Sequence, residues 1–344
     1  MYTQQRRIQM SGGKHKTEVI KWFLQMKPDK LVLEHCVIVR LLGVLAHGQL
    51  EQVRPKKAFT MPIFLYEKAE HFIYIEGGID DGGAASVRAI MHWQYRTICR
   101  GPNSILQNLY DVMGPKAHDY ISFYGLRTYG RLYDGGPLVT NQVYVHSKLM
   151  IIDDHIALVG SANINDRSLL GSRDSEIGVL IEDKEFVTSR MNGKPWKAGK
   201  FSFSLRLSLW SEHLGLHRGE VKQIIDPVND ATYKDIWMAT AKTNTMIYQD
   251  VFSCVPNDLI HSRASFRQST AYWKEKIGHT TIDLGIAPEK LESYQNGDLK
   301  GTDPMERLQS IRGHIVSFPL DFMCQEDLRP VIMESEYFAS QVFL

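Results

Sequence analysis

Apolar and polar positions divide the chain into a weakly patterned start, a helical pair, a dense β region and a second helical pair. Residues 1–60 show little periodicity and few turn signals, and no element is assigned to them. From Ile63 to Glu76 the run IFLYEKAEHFIYIE is rich in β-branched and aromatic residues and predicts a strand. Glycine pairs at 77–78 and 82–83 then break the chain. Ala84–Arg100 carries apolar residues at helical spacing, as does Ser104–Met113, with Ser104 placed as the N-cap. Short strands are predicted over Asp119–Leu126, Leu138–Val145, Ser147–Ile152 and His155–Val159, with turns at Gly135-Gly136-Pro137 and Asp153-Asp154. Glu176–Ile181 is one more strand. Helical spacing returns over Lys200–Gly215 and Asn229–Cys254. His261 to Arg307 is polar and reads as a surface excursion, and Ile315–Phe322 as a final apolar strand or edge. Strands mixed with helices predict an α/β (α+β layered) fold, a mixed β-sheet flanked by helices.

Composition changes this picture little. The 344 residues are 43% hydrophobic and 23% charged, as in an ordinary globular protein. A net charge of +1 provides no global attraction to nucleic acid or anionic lipid, so any such attraction is local. The four cysteines lack metal-ligand spacing and fit a reducing compartment. The most apolar stretch, Leu31–Leu45, is interrupted by Glu34, His35 and Arg40 and does not read as a membrane span. Basic residues near the start are followed by no apolar secretory core. A soluble or peripheral intracellular protein is expected.

The chemistry concentrates between Tyr144 and Asp183. His146 and Lys148 lie two apart, so on an extended segment they would project to one face about 6–7 Å apart. Asp153 starts a tight turn. Ser161 and Asn163 sit in a Gly-Ser-Ala-Asn turn before a short helix expected around Arg167–Leu170. Such a turn offers hydroxyl, amide and backbone N–H groups together, as an anion site requires. An imidazole can attack phosphorus or, once protonated, donate to a leaving oxygen. An ammonium and amide donors can stabilise the equatorial oxygens as charge develops. One His beside one Lys is usually surface decoration; the full H-x-K-x4-D-x6-G-S-x-N pattern fixes six positions without a gap.

His146-x-Lys148-x4-Asp153 with Gly160-Ser161-x-Asn163 resembles the catalytic motif of the phospholipase D superfamily. The run SANINDRSLLGSRDSE, Ser161–Glu176, is similar to the second such motif of the eukaryotic phosphatidylcholine-hydrolysing enzymes. Flanking pieces agree, including Ala89–Gly101, Tyr120–Thr128 and Ile311–Phe322, so the likeness covers roughly 82–256 and 311–322. The resemblance implies two facing motifs, with the first histidine as nucleophile and the second as acid. His146 would then be the general acid, later the base toward water. Lys148 and Asn163 would hold phosphoryl oxygens, Ser161 would support the turn, and Glu176 is the candidate carboxylate orienting His146. Asp153 would hold the loop or Lys148. No metal or other cofactor is implied, and a primary alcohol could replace water. The expected domains are 1–60 unassigned, 61–260 a phospholipase D-like catalytic half-domain, and 261–344 an extension packing on it.

Only one complete motif is present, since no other His has Lys two positions on and Asp at the right distance. The sequence therefore reads as the C-terminal portion of a longer enzyme, weak or inactive without the missing first-motif half. The expected partners are a phospholipid at a membrane surface, a phosphoinositide activator, and that missing half or a homodimer partner; no nucleic acid is expected. Two other readings stay open. One is a homodimeric one-motif phosphodiesterase or nuclease. The other is a non-catalytic phosphoinositide-binding fragment using Arg127, Arg131, Lys148, Arg167 and Arg173.

Overall fold

The computed structural model describes residues 17–20, 36–39, 69–76, 87–163, 168, 176–269, 285–295 and 298–329. Its strands are β1 Thr17–Ile20, β2 Cys36–Val39, β3 Ile73–Glu76, β4 Ser122–Arg131, β5 Leu138–Gln142, β6 Leu149–Ile152, β7 Ile156–Gly160 and β8 Gly178–Glu182. They continue as β9 Phe186–Met191, β10 Lys194–Gly199, β11 Gly285–Ile286, β12 Leu291–Gln295, β13 Asp298–Thr302 and β14 Ile315–Ser317. The α-helices of five residues or more among the described residues are α1 Val87–Ile98, α2 Ile105–Met113, α3 Lys200–Leu214, α4 Ala239–Phe252 and α5 Pro304–Leu308. One main sheet runs β1-β8-β7-β6-β3-β2-β4-β5-β11, with β14 also paired to β4. The expected α/β layering is present. Pairing between the described strands is antiparallel throughout, rather than mixed.

β3 and β6 are apolar at nearly every position because both faces of the sheet are covered. Tyr74, Leu149 and Ile151 point to a core shared with Trp210 and Trp237. Their neighbours Ile73, Ile75, Met150 and Ile152 point the opposite way, to a core shared with Tyr95 and Ile98 of α1. Successive residues of a strand face opposite sides, so helices on both faces require apolar residues at both parities.

The helices start and stop close to where their periodicity does. Ser104 caps α2 through its side chain, which accepts from the Gln107 amide. Before α4 the backbone widens into a π-turn, Tyr233–Met238, which packs Trp237 on Trp210 with ring centroids 4.4 Å apart. Of the strand predicted over Ile63–Glu76, residues 63–68 lie outside the described set and only Ile73–Glu76 is strand. Asp119 belongs to a 3-10 turn, Gly114–Asp119, and the strand after it begins at Ser122. The predicted final strand shortens to Ile315–Ser317. The hairpin β9–β10 was not anticipated, and it turns on Asn192 and Gly193, both at positive φ.

Candidate active site

The segment carrying His146 and Lys148 is not strand. Residues 143–148 link β5 to β6, and the ladder begins only at Leu149. Val145 anchors this link by burying its side chain in the core, and the Gly160 amide donates to the Lys148 carbonyl at 2.9 Å. His146 is exposed, with its ring stacked on Tyr144 at 5.5 Å and 14° between planes. The Lys148 Nζ donates to the His146 carbonyl at 2.9 Å, so the ammonium is folded back over the link. Partial desolvation, followed by the nearby Lys148 charge, lowers the His146 pKa from its usual value. Removing that charge acts in the opposite direction. Lys148→Met is expected to raise the His146 titration midpoint, read by NMR of the ring protons against pH, without carrying it past the ordinary histidine range. An unchanged or lower midpoint would show that the two groups do not communicate.

Asp153 ends β6 in a turn whose two residues, Asp153 and Asp154, have φ of 52° and 53°. Its carboxylate accepts the amides of Glu70 at 2.6 Å, His71 at 2.9 Å and Phe72 at 2.6 Å. The motif aspartate is thus a clasp on the loop entering β3. Burial pushes its carboxyl up while the three amides pull it back.

The Gly-Ser-Ala-Asn turn follows β7. The register Leu149↔Val159 and the Gly160–Lys148 bond set it alongside the His146–Lys148 link. Gly160 is required there, because a Cβ would meet the Ile177 carbonyl oxygen at 2.7 Å. The Ser161 hydroxyl donates to Glu176 Oε2 at 2.5 Å and accepts the Ile177 amide at 2.9 Å. Glu176 is buried and turned to Ser161, which places its carboxylate on the turn. The Asn163 backbone amide donates to the Ser168 hydroxyl at 3.2 Å, and its side-chain Oδ1 is buried with no hydrogen-bond partner among the described residues. The short helix expected over Arg167–Leu170 lies outside the described residues except for Ser168. Among the described residues no cluster of three or more His, Cys, Asp or Glu has metal-holding geometry.

Two buried pairs beneath the motif carry no local sequence signal. Asp154 and Arg206, each with a fully buried side chain, form a two-point ion pair at 2.6 and 2.7 Å. Glu76 and His213, 6% and 4% exposed, meet at 3.2 Å. Both basic partners lie on the inward stripe of α3 with Ser202 and Trp210, a stripe whose polar members hide it from a hydrophobic-pattern reading. Of the basic residues proposed to hold a phosphate, Arg127 is buried beside Thr140 and the Tyr248 ring, and Arg167 and Arg173 lie outside the described residues.

A helix-flanked sheet carrying His-x-Lys on a surface link, a clasping aspartate and an adjacent Gly-Ser-x-Asn turn defines the class of phospholipase D-type half-domains. A family model for phospholipase D matches residues 67–262, more than half the chain, and the chain belongs to that family. Among its relatives, phospholipase D zeta 1 of Arabidopsis thaliana is 80% identical over 269 residues, covering 78% of this chain and 24% of that protein. Phospholipase D zeta 2 of the same plant is 67% identical over 312 residues, covering 90% and 29%. Phospholipase D1 of Mus musculus is 42% identical over 261 residues, covering 76% and 22%. The chain thus spans about a quarter of the length of the curated relatives it matches. No helix among the described residues is long and apolar enough to cross a membrane.

Proposed function

We propose that this chain supplies the second-motif half of a phospholipase D site, cleaving phosphatidylcholine-type phospholipids to phosphatidic acid and the free headgroup alcohol. In the first step a histidine of the other half attacks phosphorus, and the bond from phosphorus to the headgroup oxygen breaks. Protonated His146 gives its proton to that oxygen. In the second step neutral His146 takes a proton from water, the water oxygen attacks phosphorus, and the phosphorus–nitrogen bond breaks. Lys148 and the Asn163 amide hold the equatorial oxygens through both steps, and the anionic substrate favours the protonated ring that the first step needs. Asp153, Ser161 and Glu176 hold the loop and turn behind them. A primary alcohol taking the place of water would give transphosphatidylation.

The observation that carries this reading is an exposed His146 on a link that Gly160 fastens to the amide-bearing turn. The substrate places the working protein at a bilayer surface as a peripheral enzyme. A choline-release assay of this chain, alone and co-expressed with a first-motif half, tests it. Weak or absent release alone and strong release together are expected. Full activity in the chain alone would mean that a homodimer completes the site. No release in either arm would overturn the reading.

A further inference from the structure

Beneath the His146–Lys148 link lies a buried polar cluster with no assigned role. Ser147, the residue between the two motif side chains, turns the other way and donates its hydroxyl to Glu76 Oε1 at 2.6 Å. The other oxygen of Glu76 accepts the Tyr74 hydroxyl at 2.6 Å and faces His213 Nε2 at 3.2 Å, and Tyr74 and His213 are themselves 3.2 Å apart. Burial alone would raise the Glu76 pKa, but His213, Ser147 and Tyr74 together hold it below its usual value, so the cluster contains a fixed carboxylate. A carboxylate this buried is tolerated only when its lone pairs are matched, as they are here.

The placement has a consequence for the site. Residues 143–148 are not strand: the sheet holds the two ends of the stretch, through the Val143 amide on the Leu126 carbonyl and the Gly160 amide on the Lys148 carbonyl, and not the backbone under His146 between them. Glu76, by contrast, ends a strand locked between β2 and β6, and pairs in register with Leu149, one residue past Lys148. His213 arrives on α3, whose Trp210 is packed in the same core. We propose that Glu76, locked by Tyr74 and His213, is a positioning residue that grips the Ser147 hydroxyl and thereby sets where His146 and Lys148 stand. This rests on the half-site reading only for its effect on turnover; the grip on the His146 ring is a property of the chain itself. A hydroxyl in a link without ladder partners, held by a preorganised acceptor, is the kind of support that places reacting groups to within a fraction of an ångström.

Ser147 is exposed, so shape-matched substitutions there leave the core intact. Ser147→Thr keeps the hydroxyl, whereas Ser147→Val has the same outline without it. In the full chain, the His146 ring resonances in a histidine-selective NMR spectrum should shift in the Val variant and return to near their native positions in the Thr variant. Glu76→Gln should shift them too, with the thermal midpoint of each variant recorded alongside. Orthovanadate serves as the phosphate probe, and its dissociation constant should rise about tenfold in Val and not in Thr. Identical His146 resonances in Thr and Val would overturn the proposal whatever vanadate does. Equal vanadate binding by wild type and His146→Ala would overturn the half-site reading and leave the grip standing on the resonances.

Discussion

In a complete two-motif enzyme, His146→Ala is expected to lower phospholipid hydrolysis by at least about a thousandfold, at nearly unchanged substrate affinity. A positioned acid contributes on the order of 10²–10⁴ in rate. In the proposed mechanism the same ring is also the base in the second step, so its loss would impair formation and breakdown of the intermediate alike. The side chain is exposed and stacks on Tyr144, so truncation leaves no cavity and no buried group unpaired. The loss should therefore appear in kcat with an unchanged thermal midpoint. Lys148→Ala should come close to the same loss, and the double variant should be little worse than either, because the two groups serve one phosphoryl centre. The measurement is choline release under single turnover and steady state, with circular dichroism to confirm folding. A His146→Ala enzyme retaining a tenth of wild-type turnover would remove the ring from the mechanism.

The sequence shows different parts of the molecule with different clarity, for physical reasons. Helices α1 and α2 announce themselves because a one-sided core imposes helical spacing over twelve and nine residues. The motif positions are legible because chemistry demands residue types at fixed separations within one hairpin, β6–β7. The geometry of the motif is less so. An i, i+2 pair implies a shared face only on a strand, and the link before Leu149 is not one; nothing in YVHSKL distinguishes a paired strand from an anchored loop. The hairpin β9–β10 was readable from Asn192-Gly193 between two strand-like runs, the strongest short hairpin signal, although Pro195 inside the second run argues against a strand. Pro195 is tolerated because the two strands form a sheet of their own.

The pairs Asp154–Arg206 and Glu76–His213 are separated by 52 and 137 residues, and no local pattern links them. They become partners only once the sheet order sets β3 beside β6 and α3 crosses that pair of strands on one face. Each acidic member lies at an end of the motif segment: Glu76 below Ser147, and Asp154 just past the clasping Asp153. The helix α3 therefore holds the motif stretch at both ends through two buried polar contacts, in a position that hydrophobic patterning would assign to apolar side chains.

The second large effect follows from the better buried of the two. Arg206→Ala is expected to lower folding stability by about 3–5 kcal/mol, because it leaves the Asp154 carboxyl buried and without its partner. It also strips the donors from the Ile224 and Ile225 carbonyls, at 2.7 and 3.0 Å, and removes packing against Trp210. Domains of this kind have only about 5–15 kcal/mol in total, so the urea midpoint should fall by a large fraction. Asp154→Asn/Arg206→Met removes both charges, and Asn still tolerates the left-handed conformation at 154. The double variant should therefore recover part of the loss, the sign that an unpaired charge and not a lost attraction dominates the single variant. The damage should also reach the site, since the Asp154 carbonyl accepts the Gly199 amide at the start of α3 and its neighbour Asp153 clasps residues 70–72. In the Arg206→Ala protein, hydrogen exchange at Glu70, His71 and Phe72 should accelerate ahead of exchange in β8. A midpoint within about 0.5 kcal/mol of wild type would mean that water reaches Asp154, and that α3 is held to the motif by its tryptophan alone.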